Sequence, residues 1–336
     1  MPRITVMMSC YNASQYLSEA IESILQQTYS DYEFLLINDG STDGTLDILR
    51  TYASEDKRIV VVDKKNTGLA DSLNVGLKAA RGKWIARLDA DDIALPERLA
   101  QQMAFVHWDP SVILLGTACV LIDQSGGAIG RYRYPAGHHS LVTQMEKHGS
   151  PFPHSSVLFH KETVIRIGGY NGRFVPFCED VDLWLRLSRI GVIACLPQVL
   201  VKIRKHGSNI TSRSSMASRT VMATAVNVCH FLRAKGVIDP SQKHAGTWKE
   251  FLTWLTQRLD HESYLESCCQ WSRMTQDFSL SVASGRRLCA SLQLVGGLLR
   301  SGCACDIIAR RLFGSNLPAQ LADEWIQAHV DCRQGV

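Results

Sequence analysis

Three carboxylates stand within four residues at Leu88-Asp89-Ala90-Asp91-Asp92, directly after an apolar stretch that is typical of a strand. Carboxylates this close repel each other unless a cation or hydrogen-bond donors offset their charge. Mg²⁺ and Mn²⁺ prefer such oxygens and can bridge them to phosphates. An acidic helix N-terminus is the alternative, because Pro96-Glu97-Arg98 begins a helix nearby. The motif alone leaves both interpretations open.

A second cluster, Asn38-Asp39-Gly40-Ser41-Thr42-Asp43, combines turn residues with acceptor oxygens. Ser41 and Asp43 suit the capping of a following helix. Asp39 ends a strand pattern, where its carboxylate could accept a hydrogen bond from a base N–H, and Gly40 would let a ligand approach the backbone. Turn formation and ligand contact both fit this cluster.

Two further clusters lie later in the chain. Glu179, Asp180 and Asp182 open a helix, where acids favour the positive helix pole. An acid that faces a cleft could instead act as a general base, with its pKa raised by partial burial. In the other cluster, Arg204 and Lys205 could face a diphosphate. His206 beside them could bind a metal or simply pack at the surface.

The segments that must position these clusters alternate between strand and helix patterns over residues 4–115. This alternation predicts a parallel sheet covered by helices on both faces. Ligands of such sheets bind beyond the carboxyl ends of the strands. Four polar clusters follow the predicted strands at those ends: Ser9–Asn12, Asn38–Asp43, Lys64–Gly68 and Asp89–Asp92. Their common placement is the strongest physical indication of a site.

The chain of 336 residues is long enough for about two domains. Residues 112–206 show mixed strand and helix patterns, whereas 214–235 and 247–335 read as helices. We therefore expect a boundary near 207–215. The 11 cysteines form no Cys-x-x-Cys pair and are expected to be free, buried thiols.

Composition limits the class of protein and its surroundings. With 46% apolar and 20% charged residues, disorder and fibrous architectures are excluded. No apolar run is long enough to span a bilayer, and the first residues lack a signal-peptide layout, so we expect a cytoplasmic protein. Residues 1–206 hold 22 basic and 22 acidic side chains, so the whole net charge of +4 lies in 207–336. That excess indicates a solvated surface or contact with an anionic membrane or acceptor, and no nucleic-acid partner is expected.

Taken together, the motifs resemble the family 2 glycosyltransferases of the inverting GT-A fold. The resemblance spans residues 3–210 and rests on these segments: Met8–Asn12, Asn38–Asp43, Asn66-x-Gly68, Gly82–Asp92 and Glu179–Arg186. It implies an α/β fold with a Rossmann-like, mainly parallel sheet flanked by helices. Residues 1–210 would form the catalytic domain, and 211–336 a helical C-terminal extension of unknown role. The last 125 or so residues match no pattern that the family provides.

The resemblance also implies transfer of a sugar from a nucleoside diphosphate donor, such as a UDP-sugar, to a glycan or lipid-linked acceptor of surface polysaccharide synthesis. Asp180 matches the family's catalytic base. Asp91 and His206 match its Mn²⁺ or Mg²⁺ ligands. The donor would contact Ser9, Tyr11, Asn12, Asp39, Asn66, Gly68 and Asp89. The acceptor would lie near Phe152, His154 and Glu179, and the basic C-terminal part could touch the inner face of a membrane.

One position departs from the family pattern, and two other classes of protein remain alternatives. Asn38 replaces the first of two usual aspartates, so base recognition would rest on Asp39. A nucleotidyltransferase would carry a Gly-rich basic loop after the first strand, where this chain has Ser9–Asn12. A non-catalytic binding relative would be expected to have lost an acid from Asp89-x-Asp91 or Glu179-Asp180, and both are intact.

Overall fold

A mixed sheet of nine strands forms the centre of the first part of the chain. The computed structural model describes residues 2–207, 215–261 and 316–329. Its strands are β1 (Ile4–Cys10), β2 (Tyr32–Asp39), β3 (Ile59–Lys64), β4 (Trp84–Arg87), β5 (Ile93–Ala94), β6 (Val112–Ile122), β7 (Ala128–Tyr132), β8 (Leu158–His160) and β9 (Val192–Arg204). They are ordered β3-β2-β1-β4-β8-β6-β9-β5, with β7 paired to β6.

The strands predicted from residues 4–88 form the parallel half of this sheet. β1 pairs with β2 and β4, and β2 pairs with β3, all in parallel. All eight residues of β2 are buried, as expected for a central parallel strand that is covered on both faces. The other half is mixed, because β8 runs antiparallel to both β4 and β6 while β9 runs parallel to β6.

Helices cover both faces of the sheet. The seven of this part are α1 (Leu17–Leu25), α2 (Thr45–Glu55), α3 (Leu69–Ala79), α4 (Arg98–Trp108), α5 (His138–His148), α6 (Lys161–Arg166) and α7 (Glu179–Ser188). Val6 and Met8 share one core with Leu17 of α1 and Leu99 of α4. On the other face, a Cβ at Gly76 of α3 would lie 2.4 Å from Met7 Sδ, so this glycine lets α3 approach the sheet closely. The predicted helix-flanked fold is confirmed.

The chain divides into two compact units between residues 212 and 213. In the second unit, α8 (Met216–Ala234) contacts both α9 (Ala245–His261) and α10 (Leu317–His329). An aromatic cluster joins α9 to α10, where the Phe251 and Trp325 rings lie 5.0 Å apart edge to face. The predicted helical C-terminal part is therefore present. Its segments 262–315 and 330–336 lie outside the described residues.

Two further expectations concern helices that could span a membrane and the state of the cysteines. None of the helices in the described residues is both long and apolar enough to cross a bilayer. The described cysteines are free and buried, at positions Cys10, Cys119, Cys178, Cys195 and Cys229. The predicted free, buried thiols are thus found at these five positions, and the other six cysteines lie outside the described residues.

Candidate active site

The carboxyl ends of the parallel strands gather the polar clusters at one edge of the sheet. β1 ends beside β2 with Cys10 opposite Asn38, and β2 ends beside β3 with Asp39 opposite Lys64. On the other side of β1, Met7 is opposite Arg87, the last residue of β4. The loops that follow these strands therefore meet at the same edge, which is where the sequence places a ligand.

Asp39 is held in place at this edge by three donors. Its Oδ1 accepts from Lys64 Nζ at 2.5 Å and from the Thr67 amide at 3.0 Å, and its Oδ2 accepts from the Gly68 amide at 3.0 Å. Burial opposes ionisation, but Lys64 and the amide donors still hold the pKa of Asp39 below its usual range. A carboxylate has about four acceptor positions, so Oδ2 retains one for a ligand N–H.

Glycines shape the wall next to Asp39. Gly40 has φ +66°, and a Cβ there would lie 2.5 Å from the Asn66 amide nitrogen. Gly68, with φ +93°, precedes α3 and gives its amide to Asp39. Both positions need a residue without a Cβ because L side chains rarely adopt such φ values. Asn66 is exposed between them, at the mouth of the site.

The loop after β1 is fixed against the loop after β2. Asn12 has φ +49° and accepts a hydrogen bond from the Thr42 amide at 2.8 Å, while its own amide donates to Ser41 Oγ at 3.1 Å. Tyr11 is 54% exposed beside it, and Ser9 is half-buried. The exposed Tyr11 ring thus lies on a loop whose backbone is fixed by the hydrogen bonds of Asn12 to Ser41 and Thr42.

Asp89, Asp91 and Asp92 can present one carboxylate oxygen each within 4.8 Å of one another. Burial and the Asp89 charge raise the pKa of Asp91, although the contact with His206 opposes this shift. Burial and the charges of Asp91 and Asp89 raise the pKa of Asp92 well above its usual range. Three acids that resist joint ionisation are the arrangement that a divalent cation relieves. Their hard oxygens fit Mn²⁺ or Mg²⁺.

Each of the three acids has a different set of partners. Asp91 Oδ2 lies 2.9 Å from His206 Nε2, which joins the two metal ligands expected from the sequence. Asp92 is 3% exposed and accepts from the Arg204 amide at 2.8 Å. Asp89 forms an ion pair with the buried Arg87. Burial alone would raise the pKa of Asp89, but the Arg87 charge holds it below its usual range. Asp91 and Asp89 are thus partly open, whereas Asp92 anchors the end of β9.

Ser155 is a buried residue of this site that the sequence reasoning missed. Its hydroxyl lies 2.9 Å from Asp89 Oδ2 and 2.5 Å from Asp92 Oδ2, and it accepts from the Asp89 amide at 3.0 Å. Ser155 precedes β8, which brings it to Asp89 by pairing antiparallel with β4. No local pattern marks it, because the contact spans 66 residues.

Arg204 has a structural role, so the expectation that it faces a diphosphate is wrong. Its side chain is 2% exposed and pairs with Glu19 Oε2 at 2.5 Å. The guanidinium also donates to the Asp91 carbonyl at 3.1 Å and lies 4.6 Å from the centre of the Tyr16 ring. Arg204 therefore ties the end of β9 to α1, and the His206 ring packs on the same tyrosine at 5.0 Å. Lys205 is exposed.

The three acids of the first turn of α7 lie in three environments. Asp182 is fully buried and pairs with Arg186 at 2.7 Å. Glu179 is 5% exposed with Oε2 unpartnered, and burial together with the Asp180 charge raises its pKa to about 8. Asp180 is half-buried, and burial raises its pKa although the Val181 amide donates to it at 2.7 Å. Asp180 is thus the most accessible acid of the turn.

Tyr170 is a buried residue that contacts His154. Burial raises the pKa of its phenol, and the charges of Asp180, Glu179 and Asp89 raise it further against the effect of Arg87. Its hydroxyl lies 2.8 Å from His154 Nε2. Burial and the nearby Arg87 depress the pKa of His154, which favours the neutral form of its imidazole.

The remaining acceptor candidates differ in accessibility. His154 is half-buried and lies edge to face with Trp184 at 5.7 Å. Phe152 is 1% exposed, and its ring fills the space where a Cβ at Gly116 would lie only 2.4 Å away. Phe152 therefore belongs to the core in this structure, whereas His154 is partly exposed and Glu179 is almost fully buried.

Comparison with known proteins identifies the family of this chain. The family model described as glycosyl transferase family 2 matches residues 5–169. The chain is 35% identical over 217 residues to the Bacillus subtilis glycosyltransferase EpsE, covering 63% of this chain and 77% of EpsE. It is 34% identical over 213 residues to the Erwinia amylovora amylovoran biosynthesis glycosyltransferase AmsE, covering 62% of this chain and 79% of AmsE.

Two solved structures share its fold at low sequence identity. Residues 1–349 of S. aureus TarS, in complex with UDP-GlcNAc, superpose with a TM-score of 0.58 at 14% identity, covering 97% of this chain and 92% of that one. The mannosyltransferase PcManGT from Pyrobaculum calidifontis, in complex with GDP-Man and Mn²⁺, superposes with a TM-score of 0.52 at 20% identity. The match covers 96% of this chain and 87% of PcManGT. By its sequence and its GT-A fold, this chain belongs to glycosyltransferase family 2.

Proposed function

We propose that this chain is a metal-dependent, inverting transferase that moves a sugar from a nucleoside diphosphate-sugar, such as a UDP-sugar, to a glycan or lipid-linked hydroxyl. The observation that carries the proposal is the cluster of Asp89, Asp91 and Asp92, which can each present one carboxylate oxygen within 4.8 Å of the others just after the end of β4. A cluster of hard carboxylate oxygens at the edge of the sheet that also carries Asp39 suits a cation-bound diphosphate donor.

The donor would lie along the carboxyl edge of the sheet. Asp39 would accept a hydrogen bond from the base through its remaining acceptor position. Tyr11 and Asn12 would border the nucleotide together with Ser9, and Asn66 and Gly68 would lie near the ribose and diphosphate. The complexes of TarS with UDP-GlcNAc and of PcManGT with GDP-Man support a nucleotide-sugar as the donor class.

Asp91 and His206, with Asp89 beside them, would hold the divalent ion. When bound, Mn²⁺ or Mg²⁺ supplies positive charge that stabilises the leaving diphosphate. The donor set fits this role because Asp91 and Asp89 keep partly open carboxylates, while Ser155 and Arg87 fix the orientation of Asp89.

Asp180 would remove the proton from the acceptor hydroxyl. The acceptor oxygen then forms a bond to the anomeric carbon as the bond from that carbon to the diphosphate breaks, and the configuration inverts. The proton ends on the Asp180 carboxylate, whose pKa burial raises toward the range of a general base. Glu179 and His154 would supply hydrogen bonds to acceptor hydroxyls.

The acceptor class we propose is a growing glycan of surface polysaccharide synthesis. The relatives AmsE and the 32% identical Escherichia coli WbnJ, named for amylovoran and O-antigen biosynthesis, support this choice. We further propose residues 1–210 as the catalytic domain and 211–336 as a helical extension that approaches the membrane carrying the acceptor.

Asp180→Asn tests the mechanism. A thermal-shift screen of nucleotide-sugars with Mn²⁺ or EDTA first identifies the donor, and transfer is then measured by release of the nucleoside diphosphate. Asp180→Asn should keep metal-dependent donor binding and lose about 100-fold or more of the transfer rate, because a general base contributes that much. Glu162→Gln, at an exposed acid in the first turn of α6, is the matched control.

Two results would contradict the proposal. Undiminished transfer by Asp180→Asn would exclude Asp180 as the base. Absence of metal-dependent stabilisation by every nucleotide-sugar would exclude the donor site and favour a partner-binding relative.

A further inference from the structure

A cavity lies at the amino-terminal edge of the central strands, opposite the edge that carries the candidate active site. It has a volume of about 440 Å³, within the range of small-molecule sites. Its wall includes Trp84 at the start of β4, Val112 at the start of β6 and His160 at the end of the antiparallel β8. Because the candidate active site follows the other ends of the parallel strands, this cavity is a separate feature.

The floor of the cavity is apolar and belongs to the core. Trp84 is 9% exposed, Met103 2% and Val106 4%. These side chains come from β4 and α4, which pack on each other in the same hydrophobic core. A floor of this kind gains free energy from an apolar group that displaces water from it.

The rim of the cavity is basic. Arg3, Lys83, His107 and His160 line it, and no carboxylate does. The guanidinium of Arg3 donates to His107 Nε2 at 3.0 Å, so the imidazole is its close partner. The nearest carboxylate oxygen among the described residues, on the exposed Asp31, is 4.0 Å from Arg3 Nε. Within the described part of the chain, no ion pair or hydrogen bond is formed by the Lys83 ammonium.

His160 adds a neutral donor to this rim. Its Nδ1 caps α6 by accepting from the Thr163 amide, which leaves Nε2 as the protonated nitrogen of the neutral ring. Burial and the neighbouring Lys83 charge lower its pKa, which favours that neutral form. The nearby acid Glu162 is exposed and pairs with Lys161 at 3.4 Å.

We propose that this cavity binds an organic phosphate, with its apolar group on the Trp84 floor and its phosphate among Arg3, Lys83 and His160. Donors from three separate segments suit an anion with several acceptor oxygens. The same chemistry is offered by a free organic phosphate and by a phosphate lipid headgroup, and the experiment separates these two sources.

Phenyl phosphate is the probe, titrated by calorimetry into the full chain with EDTA present, so that metal-dependent phosphate binding at the candidate active site is suppressed. Inorganic phosphate and phenol test each half of the ligand alone, and both should bind about tenfold or more weakly than phenyl phosphate. Arg3→Gln/Lys83→Gln should weaken phenyl phosphate binding by about tenfold or more, since each lost charge-assisted hydrogen bond contributes about that factor. Lys57→Gln removes an exposed charge that does not line the cavity and should leave the affinity within about twofold.

Val106→Phe fills the floor without changing charge and should also abolish binding; its melting temperature checks that it folds. Sedimentation with phosphatidylcholine vesicles, with and without phosphatidic acid, identifies the source. Binding to phosphatidic acid vesicles that the double variant loses assigns a lipid headgroup, and phenyl phosphate binding without vesicle binding assigns a free metabolite. Absence of phenyl phosphate binding, or equal binding by the double variant and the wild type, would overturn the proposal.

Discussion

The side-chain amide of Asn38 donates a 2.8 Å hydrogen bond to the carboxylate of Asp63 on the neighbouring strand. Asn38 is 1% exposed, and its own oxygen accepts from the Ser41 amide at 3.3 Å. An ionised aspartate at position 38 could not donate to Asp63. Asn38, the residue that departs from the family pattern, therefore supplies the hydrogen-bond donor that the Asp63 carboxylate on β3 needs. The pair fixes the turn that carries Asp39.

Asn38→Asp should therefore destabilise the protein by about 1–3 kcal/mol at neutral pH, because it replaces a buried hydrogen bond with two facing carboxylates. Like charges raise the folded-state pKa of the new acid, so the destabilisation is largest above that pKa and fades as the pH falls from that pKa toward the ordinary aspartate value. Urea unfolding between pH 4 and pH 8 measures both effects.

The second-site variant Asp63→Asn provides the control for this pair. Combined with Asn38→Asp it restores one donor and one acceptor, so most of the lost stability should return. Equal stability of wild type and Asn38→Asp at neutral pH would show that the hydrogen bond has no role in holding the turn.

The strands and the edge that carries the site could be predicted because both follow from local patterns. Apolar runs such as Ile4–Met8 mark strands, and parallel strands bring their carboxyl ends together. Asp63 and Ser155 could not be predicted in the same way. Their importance depends on the register of β2 with β3 and on the antiparallel entry of β8, and both are decided by packing between distant segments.

Arg204 illustrates a second limit of sequence reasoning. A basic residue next to a histidine suggests phosphate contact, and its type alone gives no sign of burial. The Arg204 side chain instead donates to the Asp91 carbonyl and pairs with Glu19. It can reach both because β9 runs parallel to β6 and ends beside the loop after β4.

Glu179→Gln should change how stability depends on pH. Burial and the Asp180 charge raise the folded-state pKa of Glu179 to about 8, above its unfolded value near 4.5. A raised pKa contributes stability below the unfolded value that is lost as the pH rises through the folded value. The glutamine keeps the shape without titrating, so the variant should gain stability relative to wild type between about pH 4.5 and pH 8.

Denaturant unfolding of both proteins across that pH range checks the expected gain. Glu162→Gln, an exposed acid at a similar helix position, should show a pH-independent difference. A constant difference for Glu179→Gln as well would mean that Glu179 is ionised in the folded protein.

Ser155→Ala should weaken metal binding. The hydroxyl joins Asp89 to Asp92, so its loss leaves a buried acceptor of Asp92 with one donor fewer and releases the orientation of Asp89. We expect a loss of about 1–3 kcal/mol in stability and an affinity for Mn²⁺ about tenfold lower. Titration of Mn²⁺ followed by electron paramagnetic resonance measures the affinity, with the exposed Ser125→Ala as control. Unchanged Mn²⁺ affinity would remove Ser155 from the metal site.

Lys243→Glu/Lys249→Glu tests whether the basic second unit contacts a membrane. Both lysines are exposed, and each basic side chain near an anionic surface contributes about 1 kcal/mol of attraction. The double variant should therefore sediment with phosphatidylglycerol vesicles about tenfold or more weakly than wild type, and the difference should shrink with added salt because the attraction is screened. Lys57→Glu/Lys78→Glu makes the same charge change in the first unit and should bind as wild type does. If both double variants lose binding equally, net charge rather than the second unit governs membrane contact.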